Sequence, residues 1–280
     1  MKDVYFMERD PYAPIRHCYG ISKILYEGKS KYQEIQVVES HYFGKMLILD
    51  GVVQFTEKNE FFYHEMLTHP VMFAHKNPEN VLIIGGGDGG ILREVLKHKS
   101  VKKAVLVDID KDVVEVSKKF FPTVACSMDD PRAIILNEDG FKYIQDYKNE
   151  FDIIIVDSTD PVGFAHVLTT EEFFKYVFEA LREDGIYVGQ SESLHYHLDI
   201  VVRFQKALKK SFPIVDLYTT VIPVYAGYWW TFSVGSKVYN PREISRDVDV
   251  ETRFYSDEIH KNAFLPPNFY QKVLNGTFKY

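Results

Sequence analysis

The sequence predicts an α/β protein with a doubly wound parallel sheet, preceded by a small all-β domain. From residue 81 onward, short apolar runs typical of buried strands alternate with helical patterns, and this βαβ rhythm indicates a parallel sheet. The first 57 residues contain instead short strand-like runs separated by turn signals. We therefore place an N-terminal β domain at residues 1–57 and a Rossmann-like catalytic domain at residues 58–280.

The N-terminal domain is predicted to consist of short strands joined by tight turns. Asp50-Gly51 is a dipeptide typical of two-residue hairpins, and Gly28-Lys29-Ser30 marks another break. A domain of this size made of hairpins has a thin core, so we expect it to pack on the catalytic domain or on a copy of itself. The predicted strands span residues 20–26, 32–39, 45–49 and 52–56.

The catalytic domain is predicted to begin with a helix and to continue as alternating strands and helices. The first helix starts at Asn59 and ends near His75, ahead of Asn77-Pro78. An antiparallel pair at 214–221 and 230–235 is expected to close the sheet, and a short helical tail includes residues 267–274. Between them we predict strands at 81–84, 104–108, 133–136, 151–156 and 185–189, and helices at 90–98, 111–120, 140–146 and 170–181.

The composition argues against several classes of function. A net charge of -7 disfavours nucleic acid and anionic membranes as partners. No apolar run approaches the ~18–20 residues of a membrane-spanning helix, and residues 1–5 lack the apolar core of a signal peptide. Cys18 and Cys126 have neither a metal-binding spacing nor a disulfide framework. We therefore expect a cytoplasmic protein without a metal site.

A glycine-rich turn follows the first strand of the catalytic domain. Gly85, Gly87 and Gly90 satisfy the pattern G-x-G-x-x-G between a predicted strand and a predicted helix, the context in which this pattern binds nucleotides. Asp88 lies inside the turn. Because a carboxylate repels the pyrophosphate that a helix N-terminus would bind, Asp88 argues against a dinucleotide and for a cationic group.

Acidic residues also follow the next two strands. Asp108 comes 18 residues after the glycine pattern, where an acid can accept hydrogen bonds from both hydroxyls of a ribose. Asp110, by contrast, is expected to cap the helix that begins at Lys111. Asp139-Gly140 follows the third strand and suits the exocyclic amine and a ring nitrogen of adenine, although this dipeptide alone could equally form a turn. Three such strand ends together predict a nucleoside site.

Asp157 and Asp160 leave the carboxyl end of the strand at 151–156 and enter a loop that contains Pro161 and Gly163. Ligands of open α/β sheets bind at this edge. A single aspartate at a strand end is commonly a cap or a turn residue, but two beside a nucleoside site indicate function. The predicted site therefore has many acids and no evident base to neutralise them, which favours a nucleoside whose reactive part is positively charged.

Taken together, these motifs resemble the polyamine aminopropyltransferase family over nearly the whole chain. The resemblance implies transfer of an aminopropyl group from decarboxylated S-adenosylmethionine to a primary amine, usually putrescine, giving spermidine, 5′-methylthioadenosine and a proton. It also implies a homodimer or homotetramer, with the donor as a co-substrate and no metal or tightly bound cofactor. The matching segments are Tyr32-Gln33-Glu34, 49–54, Tyr63-His64-Glu65, 85–90, 107–110, Asp139-Gly140 and 157–161.

The resemblance also implies roles for individual residues. Asp157 would be the general base, with Tyr63 beside it, and Asp88 would hold the ammonium group of the aminopropyl tail. The loop from Asp157 to Thr169 would be a lid that closes over the substrates. In that loop Phe164 stands where the family commonly has proline, which leaves the lid less stiff near the adenine. The donor nucleoside would contact Gln33, Gln54, Gly85, Gly87, Asp108, Asp139, Gly140 and Phe164, and the amine groups would contact His64, Asp88, Asp160, Gln190 and Tyr225.

Other functions stay open on the sequence alone. An S-adenosylmethionine methyltransferase would share this methyltransferase-type sheet, but its donor carries a carboxylate that Asp88 would repel. An NAD(P) oxidoreductase would bind a pyrophosphate, which Asp88 would also repel. An inactive polyamine-binding protein would not need the pair Asp157 and Asp160. The acceptor is open among putrescine, which we favour, cadaverine, agmatine and longer polyamines. Glu192 is the candidate partner for the guanidinium of agmatine.

Two aromatic and histidine-rich stretches receive structural interpretations. Tyr228-Trp229-Trp230 is expected in the core or at an interface. His195-Tyr196-His197 has no complementary ligand cluster in the sequence, so we expect it at the surface or in the lid.

Overall fold

The N-terminal residues form a five-stranded antiparallel sheet in the order β1-β2-β3-β4-β5. The structure, a computed structural model, describes residues 4–10, 12–159 and 163–278, without the side chains of residues 163–165. Four strands of this sheet overlap predicted ones, whereas β1 was not predicted. Its pattern is inverted, because Glu8 is its buried side chain while Val4, Tyr5 and Met7 are exposed. The strands are β1 (Val4–Arg9), β2 (Arg16–Lys29), β3 (Glu34–Ser40), β4 (Gly44–Leu49) and β5 (Val52–Thr56).

This first sheet packs on the rest of the chain through an apolar cluster. Ile35 and Leu47 from its central strands contact Val113 and Val116 of a helix, α3 (Lys111–Phe120), and Phe121 just beyond it. The shared core confirms the expectation that the hairpins pack on the α/β part. It also brings Gln33 and the start of β5 to the side of the nucleotide turn.

The second sheet has seven strands in the order β11-β12-β10-β9-β6-β7-β8. The strands from β6 to β10 pair in parallel, and β12 pairs antiparallel with β10 on one side and with β11 on the other. This is the predicted Rossmann-like sheet with its closing antiparallel pair. The strands are β6 (Asn80–Gly85), β7 (Lys103–Val107), β8 (Ala133–Leu136), β9 (Phe151–Asp157), β10 (Leu181–Ser193), β11 (Ile214–Val221) and β12 (Trp229–Ser236).

Helices cover both faces of this sheet. Along β6, Val81 and Ile83 join the core cluster beneath the helices α1 (Glu60–Ala74) and α2 (Gly90–Leu96), whereas Leu82 and Ile84 join the cluster beneath α5 (Glu171–Ala180). A strand buried on both faces reads as a continuous apolar run, and this explains why the parallel strands could be predicted. The remaining helices are α4 (Gly140–Gln145), α6 (Leu198–Leu208), α7 (Asp257–Ala263) and α8 (Pro267–Leu274).

The connectivity creates a switch point between β6 and β9. From β6 the chain moves through β7 to β8, then crosses back to β9 on the opposite side. In the register of this pair Gly85 lies opposite Asp157, so the glycine turn and the acidic loop leave the sheet side by side. Open α/β sheets bind ligands at such a point. None of the helices in the described ranges is long and apolar enough to cross a membrane.

Candidate active site

A cavity of about 330 Å³ opens at the carboxyl ends of β6, β7 and β9, and its walls include residues of both sheets. It is lined by every predicted site residue whose side chain the structure describes. Asp160 lies outside the described residues, and Phe164 lies in a 3₁₀ helix, Gly163–Thr169, with its side chain outside them. The lining includes Gln33, Gln54, Tyr63, His64, Gly85, Gly87, Asp88, Asp108, Asp139, Gly140, Asp157, Gln190 and Tyr225.

The glycine-rich turn that follows β6 is hydrogen-bonded to the acidic end of β9. Gly85 and Gly86 have φ angles of +80° and +68°, in the left-handed region that glycine adopts without steric cost. The backbone N–H of Gly86 donates to the carbonyl oxygen of Asp157 at 2.9 Å. A Cβ atom on Gly85 would lie 2.0 Å from that oxygen. The turn therefore requires glycine, and it fixes Asp157 at the edge of the cavity.

Asp108 lies at the floor of the cavity and faces the turn. Its carboxylate accepts hydrogen bonds from the N–H groups of Gly87 at 2.9 Å and Asp110 at 2.8 Å. Burial raises the pKa of Asp108 to about 6, although these two bonds oppose the effect. Asp110 caps α3 as expected, accepting from the N–H of Asp112, and it also accepts from the side-chain amide of Gln33 at 2.8 Å. This bond brings Gln33 from the first sheet to the edge of the site.

Asp139 and Gly140 bring α4 close to the cavity. The Asp139 carboxylate accepts a hydrogen bond from the N–H of Phe141 at 3.0 Å and so caps α4. A Cβ atom on Gly140 would lie 2.3 Å from Ile84 Cγ2. Glycine thus lets the start of α4 approach β6. Asp139 both caps α4, as its sequence context allowed, and lines the cavity.

Asp88 is held by a buried chain of charges. Its carboxylate accepts from the N–H of Gly90 at 2.6 Å and lies 3.4 Å from Nε2 of His64. On its other side, Nδ1 of His64 lies 2.6 Å from Glu60, which also pairs with Arg93 at 2.7 Å. Burial by itself would lower the pKa of His64, but Asp88 and Glu60 outweigh it and raise that pKa to about 10.

An imidazolium behind Asp88 changes how His64 is interpreted. Burial would raise the pKa of Asp88, but His64 and the N–H of Gly90 lower it, so Asp88 is ionised. A protonated His64 repels an ammonium group and attracts the carboxylate beside it. We therefore interpret His64 as the support of Asp88 rather than as a direct contact for an amine. Gly90 makes the arrangement possible, since a Cβ atom there would lie 2.2 Å from the imidazole ring.

Asp157 is the carboxylate best suited to accept a proton. Its Oδ1 accepts a hydrogen bond from the hydroxyl of Tyr63 at 2.6 Å. Burial and the neighbouring Asp88 raise the pKa of Asp157 to about 7, against the opposing effects of His64 and Tyr63. A carboxylate with a pKa near neutrality is matched to general-base catalysis. Beside it, the side-chain amide of Gln190 donates to the carbonyl oxygen of Ser158 at 3.2 Å.

An aromatic passage leads away from Asp157. The ring of Tyr63 meets that of Tyr225 with a centroid separation of 5.6 Å, and Tyr225 meets Trp230 at 4.7 Å. Tyr225 also donates to the carbonyl oxygen of Gln54. These contacts join α1, β5, β12 and the loop before β12 into one wall of the cavity.

The far end of this passage contains an acid that the sequence did not identify. Glu8 accepts hydrogen bonds from the N–H of Val53 at 2.9 Å and from the hydroxyl of Tyr19 at 3.3 Å, and it lines the cavity. Burial raises the pKa of Glu8 to about 7, and no positively charged group of the described residues pairs with it. In the sequence Glu8 looks like a solvent-exposed residue after a run of apolar ones, and its burial becomes evident only in the structure.

Comparison with known proteins identifies the family. A sequence model described as the spermine/spermidine synthase domain matches residues 60–246. The chain belongs to the spermine/spermidine synthase family. A second model, described as the spermidine synthase tetramerisation domain, matches residues 4–57.

Curated relatives and solved structures agree with this assignment. The chain is 97% identical over 280 residues to a polyamine aminopropyltransferase of Hydrogenobaculum sp. (strain Y04AAS1), covering 100% of both chains. It is 68% identical over the same length to polyamine aminopropyltransferase 1 of Aquifex aeolicus (strain VF5), again covering 100% of both chains. A spermidine synthase solved with the transition-state analogue AdoDATO superposes with a TM-score of 0.93 at 38% identity, over 98% of this chain and 96% of the other. The spermidine synthase of Thermotoga maritima gives a TM-score of 0.91 at 38% identity, over 98% and 95%.

Family membership confirms several predictions. The chain is a transferase of the polyamine aminopropyltransferase type, and its fold is the predicted Rossmann-like sheet with an N-terminal β-sheet. The match to a tetramerisation domain supports the predicted homo-oligomer. Exposed apolar side chains lie on that sheet, including Val4, Tyr5 and Ile24.

One cluster away from the cavity has the composition of a metal site. Ligand atoms of His75, Asp152 and Asp184 lie within 4.8 Å of one another. Asp152, however, already accepts from two backbone N–H groups and from Arg182. Burial lowers the pKa of His75, and its Nδ1 accepts from the N–H of Asn77, so the proton of the neutral ring sits on Nε2. That nitrogen then has no lone pair for a cation, and we interpret the cluster as a hydrogen-bonded turn.

The expectation for His195-Tyr196-His197 was partly wrong. His195 is exposed, but His197 is buried between two carboxylates, Asp10 and Glu192. Glu192 therefore has a partner already and does not line the main cavity, which removes it as a free partner for a guanidinium. The pairing joins residues 187 positions apart, which sequence reasoning has no means to detect. Trp230 is buried and Tyr228 exposed, so that stretch lies partly in the core.

Proposed function

We propose that the chain transfers the aminopropyl group of decarboxylated S-adenosylmethionine to putrescine, giving spermidine, 5′-methylthioadenosine and a proton. The observation that carries the proposal is the order of groups along one cavity. Asp108 and Asp139 line one end of it, followed by ionised Asp88 and by Asp157, and then by an aromatic passage that ends at Glu8. An adenosyl sulfonium and a diamine have their functional groups in that order.

The donor fits the acidic half of the cavity. Asp108 would accept hydrogen bonds from the ribose hydroxyls, and Asp139 with Gly140 would contact the adenine. Gln33 and Gln54 would close the site from the first sheet, while Gly85 and Gly87 permit close approach of the ligand. Asp88 would pair with the ammonium of the aminopropyl tail. S-adenosylmethionine would bring its carboxylate to Asp88, and this repulsion disfavours the methyltransferase alternative.

The reaction forms a C–N bond to the acceptor and breaks the C–S bond of the donor. The attacking amine must first lose a proton, and an alkyl ammonium resembles lysine, with a pKa of about 10.4. Asp157 would take this proton, and its raised pKa makes the transfer less unfavourable than for an ordinary aspartate. Tyr63 would orient Asp157 through their hydrogen bond. A sulfonium is an activated electrophile, so no metal or tightly bound cofactor is needed for this step.

The acceptor is assigned from the far end of the passage. Putrescine carries a second ammonium, and Glu8 offers a buried carboxylate without a cation partner among the described residues. Tyr63, Tyr225 and Trp230 would contact the methylenes between the two ends. Cadaverine has one methylene more and should react less well. It should still react detectably, because apolar pockets discriminate by only about 1–3 kcal/mol per methylene.

A product analysis tests this function. The purified protein is incubated with decarboxylated S-adenosylmethionine and, separately, putrescine, cadaverine, agmatine or spermidine, and the products are identified by mass spectrometry. A parallel series contains S-adenosylmethionine as donor. We expect the highest kcat/KM with putrescine and decarboxylated donor. A higher kcat/KM with agmatine or spermidine would overturn the acceptor assignment, and methylated amines would overturn the reaction type.

A further inference from the structure

His197 follows β10 and lines the cavity on the side to which β1 and β2 contribute. It lines the cavity together with Glu8, Asp10 and His17. Its Nε2 lies 3.2 Å from Oδ2 and 3.3 Å from Oδ1 of Asp10, and its Nδ1 lies 2.9 Å from Oε2 of Glu192. The side chains of all three residues of this acid–imidazole–acid cluster are at most 2% exposed.

The cluster is held from several elements. Asp10 accepts from the N–H groups of Tyr12 at 2.8 Å and Ala13 at 2.6 Å, which closes the turn after β1. The ring of Tyr12 meets that of His197 edge-on at 5.0 Å. Glu192 has a φ of +76°, a conformation that is unfavourable for a residue with a side chain. Because the backbone of Glu192 is strained and its carboxylate pairs with a buried histidine, the surrounding structure must hold Glu192 in this position.

Of the two carboxylates that line this end of the cavity, Asp10 is paired with a cation among the described residues and Glu8 is not. Burial is the largest single effect on the pKa of His197 and lowers it, but Glu192 and Asp10 together raise this pKa above its usual value. Asp10 then has its charge matched by the imidazolium and its Oδ1 occupied by two N–H groups. Glu8 is the carboxylate at this end without a cation partner among the described residues.

We propose that His197 is a specificity-determining residue, which occupies Asp10 and thereby keeps guanidinium-ended acceptors out of the far end of the passage. This inference rests on the proposed function, since it concerns the end of the acceptor distant from the reacting amine. A compact ammonium needs one carboxylate, and Glu8 supplies it. A guanidinium presents a planar fork of N–H groups that matches paired acceptor oxygens. With Asp10 occupied, such a fork meets an imidazolium where it needs a second acceptor.

The test is a comparison of agmatine with putrescine in a charge-balanced variant. Glu192→Gln combined with His197→Gln removes one negative and one positive charge and leaves Asp10 ionised and without its cation. We expect the ratio of kcat/KM for agmatine to that for putrescine to rise by about tenfold, the equivalent of about 1.4 kcal/mol. Adding Asp10→Asn to this variant should reverse the gain. His195→Gln, an exposed histidine of the same turn, is the matched control and should leave the ratio unchanged.

The unmodified protein provides a second measurement that depends on no variant. His197 faces Asp10, Glu192 and the rings of Tyr12 and Tyr196, and Glu8 and His17 line the same end of the cavity. The pKa of His197 is raised, so loss of its proton as the pH increases into the alkaline range should raise the agmatine-to-putrescine ratio. Asp157 and Glu8 act on both acceptors, so their titration largely cancels in the ratio. An alkyl ammonium with a pKa of about 10.4 loses its proton at a lower pH than a guanidinium, so both kcat/KM values are calculated for the concentration of acceptor with a charged distal group.

The outcomes separate the two proposals. A ratio that stays flat with pH and does not change in the charge-balanced variant overturns the role of His197, while conversion of putrescine still supports the proposed function. An unmodified protein that already prefers agmatine overturns both. If the variant fails to give a folded circular dichroism spectrum, the pH series on the unmodified protein decides.

Discussion

Replacement of the base should have opposite effects on activity and on stability. In Asp157→Asn the proposed acceptor of the amine proton is lost, and turnover should fall by at least ~10²-fold, the scale of general-base catalysis. The pKa of Asp157 is about 7, against 3.8 for the same group in its unperturbed state. At about 1.36 kcal/mol per pKa unit, ionising Asp157 costs at most about 4 kcal/mol more in the folded, unliganded protein than in the unfolded chain.

The pH range of this stability effect follows from the direction of the shift. Below about pH 4 the carboxyl is protonated in both the folded and the unfolded chain, so it has no effect. Between about pH 4 and 7 the unfolded chain releases this proton and the folded chain retains it, so stability falls as the pH rises. Asparagine does not titrate. The variant should therefore become increasingly more stable than the unmodified protein up to about pH 7, and the advantage should stay constant above it.

Urea unfolding at pH 4.5 and pH 8, without ligands, measures this difference directly. Asp247→Asn, at an exposed position, is the matched control and should show no pH-dependent gain. Product formation by mass spectrometry at pH 8 measures the loss of activity. A stability difference that is the same at both pH values refutes the electrostatic reasoning, and near-normal turnover refutes the assignment of the base.

Three further substitutions test the rest of the cavity. Asp88→Asn should narrow the preference for decarboxylated S-adenosylmethionine over S-adenosylmethionine, and titration calorimetry that finds equal affinities in the unmodified protein removes Asp88 from this role. Glu8→Gln should raise the KM for putrescine by at least about tenfold, as expected for loss of a buried charge partner. The monoamine butylamine, which lacks the second ammonium, should react equally with both forms, and a selective loss of butylamine activity would contradict the assignment. His64→Gln should remove a pH dependence of stability, because the raised pKa of His64 stabilises the fold fully below pH 6.5 and this stabilisation is lost as the pH rises towards 10. Equal slopes of unfolding free energy against pH for both forms would show that His64 is not protonated in the fold.

Most of the fold could be predicted because its signals are local. The parallel strands are continuous apolar runs with helices between them, and their bounds agree with the structure to within a few residues, apart from β10, which is longer at both ends. β1 could not be predicted in this way, since its buried residue is Glu8 and its exposed residues are apolar. Apolar residues on the outside of β1 agree with a sheet that belongs to a tetramerisation domain.

The half of the cavity that we propose binds the donor could be predicted for a different reason. Parallel strands bring their carboxyl ends to one edge of the sheet, so Asp88, Asp108, Asp139 and Asp157 had to lie near one another. The far end of the passage depends instead on contacts between distant segments. His197 pairs with Asp10, 187 residues away, and no pattern in the sequence near either residue indicates this. Our interpretation of His64 as the support of Asp88 also depends on such contacts, because its charge is set by Asp88 and Glu60 together.

The distribution of charge in the cavity links binding to stability. Asp108, Asp157 and Glu8 all have pKa values raised chiefly by burial, so each is easier to ionise when a cation is near. The proposed substrates supply those cations as a sulfonium and as ammonium groups. Ligand binding should therefore lower the pKa values of Asp157 and Glu8, whereas Asp108 would meet the neutral hydroxyls of the ribose. Asp88 differs, because His64 compensates it before any ligand arrives. That difference suits the proposed roles, since a group that selects the donor must be ionised in advance, whereas a base must be able to hold a proton.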